Sequence, residues 1–237
     1  MSALTRRQRS SLWVRIAVFS LGALLLLFAV AAPRGFGVSI LPLELAGTAA
    51  AFKAAVLQDW LQAPLVDGTA ASFWRLRGNL FVDSVLFVPG YVSLLVFFTL
   101  AFGPPLALHP TRRQLLCVPA VAAGLFDIAE NGMTGRALDD LVEFALVDST
   151  AADVSLAARI KWVLLGLAFV VLAWRALATA ADDGPWRAGA AVLCALAAVA
   201  FVVGGAISLV VLVNAGLGAA LLGVGLLCWR ALRAAPR

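Results

Sequence analysis

The stretch WRAGAAVLCALAAVAFVVGGAISLVVLVNAGLGAALLGVGLLCW, residues 186–229, decides the fold class of this chain. It is almost entirely apolar, and as one straight helix it would be roughly twice as long as a bilayer core is thick. We therefore predict two membrane-spanning helices here. They fold back on each other near Gly204, Gly205 and Ser208.

The rest of the chain has the same character. Hydrophobic residues make up 63%, charged residues 13%, and the mean hydropathy is +0.99, which excludes an ordinary soluble domain. Apolar runs of sufficient length predict six spans, at about residues 16–32, 80–102, 114–131, 160–178, 188–207 and 209–229. We expect an all-α, polytopic transmembrane bundle that forms one integral membrane domain over residues 1–237.

Arginine distribution predicts the orientation, because positive charge accumulates on the cytoplasmic side. With six spans, three arginine clusters fall on one side, which predicts an inner-membrane protein with both termini in the cytoplasm: Arg6, Arg7, Arg9 and Arg15; Arg112 and Arg113; and Arg230, Arg233 and Arg237. Trp60, Trp74 and Trp162 then fall at the outer interface. In an alternative reading, the first span is a cleaved signal peptide, since Ala29-Val30-Ala31 resembles a cleavage site.

Two predicted outer loops, residues 33–79 and 132–159, are long enough to hold helices. In the first, Phe52 and Val56 recur at helical spacing, which favours either a helix in the membrane interface or a helix that caps the bundle. The second has the same pattern and predicts another interfacial helix. Thr150 and Asp153 match a capping box, so the fourth membrane helix is predicted to start near Thr150, above the membrane.

The pentapeptide Asp127-Ile128-Ala129-Glu130-Asn131 places polar groups at the end of the third predicted span. Asp127, Glu130 and Asn131 are spaced to share one helix face, and polar groups in hydrocarbon are costly enough to suggest function. Four further polar residues fall in the outer halves of other spans: Asp83, Tyr91, Lys161 and Asn214. We expect all of them to converge, while Arg15 and Arg175 extend to the inner surface.

Carboxyl groups crowded in a low-dielectric site cannot all be ionised, so we expect one to keep its proton while another pairs with Lys161. That division supplies an acid beside a base. We therefore predict Asp83, Asp127 and Glu130 as catalytic residues. The predicted substrate-binding residues are Arg75, Arg77, Tyr91, Asn131, Lys161 and Asn214. The alternative is that the polar residues only hydrogen-bond between helices and fix their packing.

Arg75 and Arg77 suit a phosphate or carboxylate head group, since guanidinium makes bidentate bonds to planar anions. Ordinary anchoring near lipid phosphates is the alternative. In a further hypothesis, these arginines and the carboxylates together form a magnesium diphosphate site. The chain lacks the repeated aspartate-rich motifs expected for that chemistry. No other cofactor and no dedicated metal site is predicted, because no histidine or cysteine spacing suggests zinc or haem.

Asp83, Phe87 and Tyr91, followed by Asp127-x-x-Glu130-Asn131, form a pattern that resembles one in uncharacterised bacterial multi-span membrane proteins. The resemblance covers the second and third spans and implies no activity. It implies that Asp83 and the pentapeptide belong to one site.

These features favour a membrane enzyme that uses acid–base chemistry on an amphipathic lipid or isoprenoid, for example in a proton-initiated cyclisation or isomerisation. One alternative is a proton- or cation-coupled transporter or channel. Another is a non-catalytic assembly or lipid-binding protein. The expected partners are membrane lipids or an amphipathic small molecule, and not nucleic acid, because membrane topology accounts for the net charge of +5.

Overall fold

The computed structural model describes residues 16, 19–27, 40–60, 76–101, 114–178 and 185–233. The described residues contain helices and short turns but no strand, which confirms the all-α fold class. Residues 19–27 are helical. The helices that follow are α1 (Ile40–Glu44), α2 (Ala49–Trp60), α3 (Leu76–Leu100), α4 (Val118–Val142), α5 (Asp148–Leu177), α6 (Pro185–Ala206) and α7 (Val210–Arg233).

Four of the described helices are long and apolar enough to cross a membrane: α3, α5, Trp186–Ala206 of α6 and Val210–Trp229 of α7. They correspond to the second, fourth, fifth and sixth predicted spans. Helix α4, the third predicted span, is long enough, but its acidic residues and its polar C-terminal half lower its hydropathy. Of the first predicted span, the described residues are 16 and 19–27, which are too few to show a helix that crosses a membrane. A membrane-embedded helical protein is thus established, while the count of six spans stays a prediction.

The predicted fold-back between the last two spans is confirmed. Helix α6 ends at Ala206 and α7 begins at Val210, and Ser208 between them has a left-handed backbone with φ of 55°. A Cβ atom on Gly205 would lie 2.6 Å from the Cβ of Trp162, so glycine is needed where α6 approaches α5. The small residues that suggested the turn therefore also permit close helix packing.

The outer loop predicted over residues 132–159 is mostly helical, but its helical residues continue α4 and begin α5 and do not form a separate helix. Helix α4 continues to Val142, and α5 begins at Asp148, so only a short turn at residues 143–147 separates them. The capping box was wrong, because Thr150 already lies inside α5. The carboxylate of Asp148 accepts a hydrogen bond from the backbone N–H of Ala49 (2.8 Å) and so ties the start of α5 to the start of α2.

A second hydrophobic core, which we call the outer core, holds α1 and α2 against α4 and α5. Phe52 and Val56 of α2 are fully buried there, beside Leu43, Leu138 and Val154. This packing favours the interpretation that α2 caps the bundle. Placement of α2 in the membrane interface stays a prediction.

Helix α5 lies at the centre of the bundle and packs against both α4 and α6. Its buried position explains one wrong expectation. Arg175 was expected to extend to the inner surface, but it is 1% exposed, because neighbouring helices enclose this end of α5.

Candidate functional site

Lys161 is the centre of a buried ion cluster, which we call the Lys161 cluster: Lys161, Glu44, Asp127 and Glu130. The Lys161 Nζ atom lies 2.8 Å from Glu44 Oε2, 3.0 Å from Asp127 Oδ1 and 2.9 Å from Glu130 Oε2. An ammonium group has three N–H bonds, and each of these distances fits a charge-assisted hydrogen bond. All donors of Lys161 are therefore used within the protein.

Two helices, α1 and α4, supply the carboxyl groups of the Lys161 cluster, and α5 supplies Lys161. Asp127 and Glu130 are one turn apart on α4 and both face α5, as their spacing predicted. Glu44 is the last residue of α1, which the outer core holds in place through Leu43. The Oγ1 hydroxyl of Thr134 donates a hydrogen bond to Glu130 Oε1 (2.8 Å), so the second oxygen of that buried carboxyl group also has a partner.

A second set of hydrogen bonds connects α3 to α4. Tyr91 Oη donates to Asp127 Oδ2 (2.9 Å), and Asn131 Nδ2 donates to Asp83 Oδ2 (2.7 Å) and to Ser84 Oγ (3.1 Å). Asp83 begins a π-helical turn, Asp83–Phe87, inside α3. Single π turns within α-helices are frequent at functional sites. Asp83 thus bonds to the pentapeptide through Asn131, and Tyr91 bonds to it through Asp127.

Acidic groups outnumber basic groups at this site. Three carboxyl groups face one ammonium group in the Lys161 cluster, and Asp83 adds a further carboxyl group, bonded to Asn131, the residue that follows Glu130. Several uncompensated negative charges are costly in a buried site, so an excess of carboxyl groups over basic groups favours retention of a proton there. Such a site can both donate and accept a proton.

A cavity of about 140 Å³ adjoins the Lys161 cluster inside the bundle. Its walls are apolar except at one end, where Tyr91, Asp127 and Lys161 lie. Aromatic residues on other walls are Phe87, Trp162, Phe169 and Phe201. Leu221 of α7 also lines the cavity and is 74% exposed, so the cavity reaches the bundle surface that faces lipid.

The structure brings most of the predicted site residues together: Asp83, Tyr91, Asp127, Glu130, Asn131 and Lys161. Two others lie elsewhere. Asn214 is exposed on α7, and Arg77 is paired with Asp139. Arg75 lies outside the described residues.

Sequence reasoning missed Glu44 and misplaced Trp162. Glu44 is an isolated acid in an apolar run, the same signal that identified Asp127, but its segment was assigned to a loop. Trp162 was expected at the outer interface, yet it is 7% exposed and lines the cavity. Both errors arose because helix packing, which a single sequence does not specify, decides burial here.

Within the part of the chain that the structure describes, no group of three or more His, Cys, Asp or Glu side chains is arranged to hold a metal ion. In the Lys161 cluster, the ammonium group of Lys161 occupies the space between the carboxylates where a cation would otherwise lie. The magnesium site stays a prediction.

Fold and site together define the class: a membrane-embedded helical protein with a buried ion cluster at one end of an apolar cavity. No family model, no curated protein and no solved structure matches this chain. The resemblance to uncharacterised bacterial membrane proteins therefore stays a prediction, and the function has to be argued from the site.

Proposed function

We propose that this protein is a membrane enzyme that binds an amphipathic lipid or isoprenoid in the cavity and rearranges it by proton transfer. One observation supports the proposal most directly: the carboxyl group of Asp127, held by Lys161 and Tyr91, lies at the end of an apolar cavity. An apolar site with a few convergent polar groups is typical of small-molecule binding.

The geometry suggests different roles for the three carboxyl groups predicted to be catalytic. Asp127 lines the cavity and is the candidate proton donor and acceptor. Glu130 is fully buried, and its contacts with Lys161 and Thr134 make it a positioning residue. Asp83 bonds to Asn131 and would act on the charge of the site rather than on the substrate.

The proposed reaction needs no oxidant, reductant or second substrate. A protonated carboxyl group gives its proton to one carbon of a double bond, so that an O–H bond breaks, a C–H bond forms, and the neighbouring carbon becomes positively charged. Loss of a proton from an adjacent carbon back to the carboxylate restores neutrality. The double bond has then moved, or a ring has closed if a second double bond attacked first, and the product is an isomer of the substrate.

Cavity size limits which part of a substrate can react. A cavity of about 150 Å³ in another protein binds one benzene molecule, so the space of about 140 Å³ here suits a ring-sized end of a chain. A longer chain would continue past Leu221 into the bilayer. We propose that the polar end of the cavity lies toward the outer leaflet, as the arginine distribution predicts.

The test is to purify the protein in lipid nanodiscs and identify bound amphiphiles by native mass spectrometry with lipid extraction. The extracted lipid is then supplied in D₂O to the wild type, to Asp127→Asn and to Asp153→Asn. Asp153 is exposed on α5, so it is a matched control outside the site.

We expect the wild type and Asp153→Asn to form a deuterium-labelled isomer, because solvent exchanges with the retained proton. Asp127→Asn should retain the unlabelled substrate. If no amphiphile is bound by any of the folded proteins, or if labelling is the same in all three, the enzyme proposal is wrong. The alternatives, a transporter or channel and a non-catalytic assembly protein, would then be favoured.

A further inference from the structure

The polar end of the cavity offers a ligand acceptor atoms and few donors. The three N–H bonds of Lys161 and the O–H bond of Tyr91 are all directed to carboxylates within the protein. Trp162 also lines the cavity, but its indole nitrogen is shielded from the cavity space. The oxygens of Asp127 each accept one hydrogen bond and have a further lone pair.

The charged groups at the polar end of the cavity are mainly acidic, so this end also disfavours negative charge. Lys161 is the basic residue among the described residues that line the cavity, and three carboxyl groups surround it. An anionic head group would therefore meet the like charge of the ionised carboxyl groups, and every N–H of Lys161 is already bonded within the protein. A positive charge would meet carboxylate oxygens instead.

Aromatic rings around the cavity strengthen this preference. Phe87 and Tyr91 lie with ring centroids 5.6 Å apart on α3, and Phe201 lies 5.3 Å from Trp162 and 5.6 Å from Phe169 on the opposite wall. The face of an aromatic ring attracts cations, most strongly away from water. Aromatic rings and the Asp127 carboxyl group both line the cavity, so its lining favours positive charge over negative charge.

We infer that the cavity recognises positive charge on an apolar chain: its substrate is a neutral unsaturated chain that becomes cationic, and alkylammonium amphiphiles bind as its mimics, whereas anionic amphiphiles do not. The inference rests on the proposed function and adds the class of ligand. It also replaces the predicted recognition of a phosphate or carboxylate by Arg77, since that guanidinium is paired with Asp139.

The test compares probes that share a dodecyl chain and differ in the head group: dodecyldimethylammonium, dodecanol and dodecanoate. Each is titrated calorimetrically into the protein in phosphatidylcholine nanodiscs, and the heat with empty nanodiscs is subtracted. Ala220→Phe fills the cavity, because Ala220 is a buried lining residue on α7. Ala215→Phe adds the same bulk to an exposed position on the same helix.

We expect saturable binding of the ammonium probe, at least about tenfold tighter than that of dodecanoate. Ala220→Phe should abolish this binding and Ala215→Phe should preserve it, while Asp127→Asn should reduce the preference between the two probes. If dodecanoate binds as tightly as the ammonium probe, the charge inference is wrong and the cavity proposal stands. If no probe binds saturably, or if Ala220→Phe binds like the wild type, the proposed cavity site is itself wrong.

Discussion

Replacing Lys161 with methionine tests the energetic role of the ammonium group. Methionine keeps an unbranched side chain of similar length in the space of Lys161, but three carboxyl groups lose their shared counter-charge at 2.8–3.0 Å. Breaking a buried ion pair by removing one partner costs about 3–5 kcal/mol, because an uncompensated charge stays behind. We expect Lys161→Met to lower the free energy of unfolding by that amount.

The free energy of unfolding can be measured by titration with sodium dodecyl sulfate in mixed micelles. Lys53→Met is the matched control, because Lys53 is exposed on α2, and we expect it to change stability by less than about 0.5 kcal/mol. Equal losses in the two variants would refute the reasoning, since the burial of Lys161 would then have no energetic consequence.

A second variant separates charge from packing. Glu130→Gln removes one of the carboxyl groups that Lys161→Met leaves without a counter-charge, while its amide can still accept the hydrogen bond from Thr134. We therefore expect the double variant to be more stable than Lys161→Met alone, by about 1–3 kcal/mol, the usual range of coupling between contacting residues. If the two losses simply add, repulsion among the carboxyl groups does not explain the effect.

Three further predictions concern stability measured in the same micelles. Glu44→Ala leaves one N–H of the Lys161 ammonium group without an acceptor and should lower the free energy of unfolding by about 1–3 kcal/mol. Glu143→Ala, at an exposed position, should lower it far less, and equal losses would contradict the contact at Glu44. Gly205→Ala places a Cβ atom 2.6 Å from a side chain of α5 and should cost about 1–3 kcal/mol, whereas Gly132→Ala meets open space and should be neutral or stabilising. Ser208→Gly should stabilise by about 1 kcal/mol, because φ of 55° disfavours any residue with a Cβ; a loss would contradict this.

Four of the six predicted spans match long apolar helices, and they could be predicted from the sequence because each depends on a local property. Length and hydropathy of a continuous run are enough to identify a helix such as Val210–Trp229, whatever its neighbours are. The end of α4 depends on packing instead. Residues after Asn131 become polar, which suggests a loop, yet Ala137 and Leu138 bury themselves in the outer core and extend the helix to Val142.

The candidate site was predictable where it lies on one helix face. The spacing of Asp127 and Glu130 places them together on any α-helix, and Lys161 was the one lysine within a predicted span. Glu44 is 117 residues from Lys161 along the chain, and nothing in a single sequence brings them together. Its contact follows from the outer core that holds α1 on the bundle, which is a tertiary feature.

Buried Arg175 bears on the transport alternative, because it places a second buried charge near the C-terminal end of α5. Lys161 and Arg175 are about 21 Å apart along that helix at 1.5 Å per residue. The residues of α5 buried between them include Leu165, Ala168 and Leu172, and these have no group that could pass on a proton or bind an ion. A permeation path along α5 would have to cross this apolar layer. The cavity at Asp127 instead opens sideways beside Leu221, so its geometry favours a ligand that enters from the lipid over an ion that crosses the membrane.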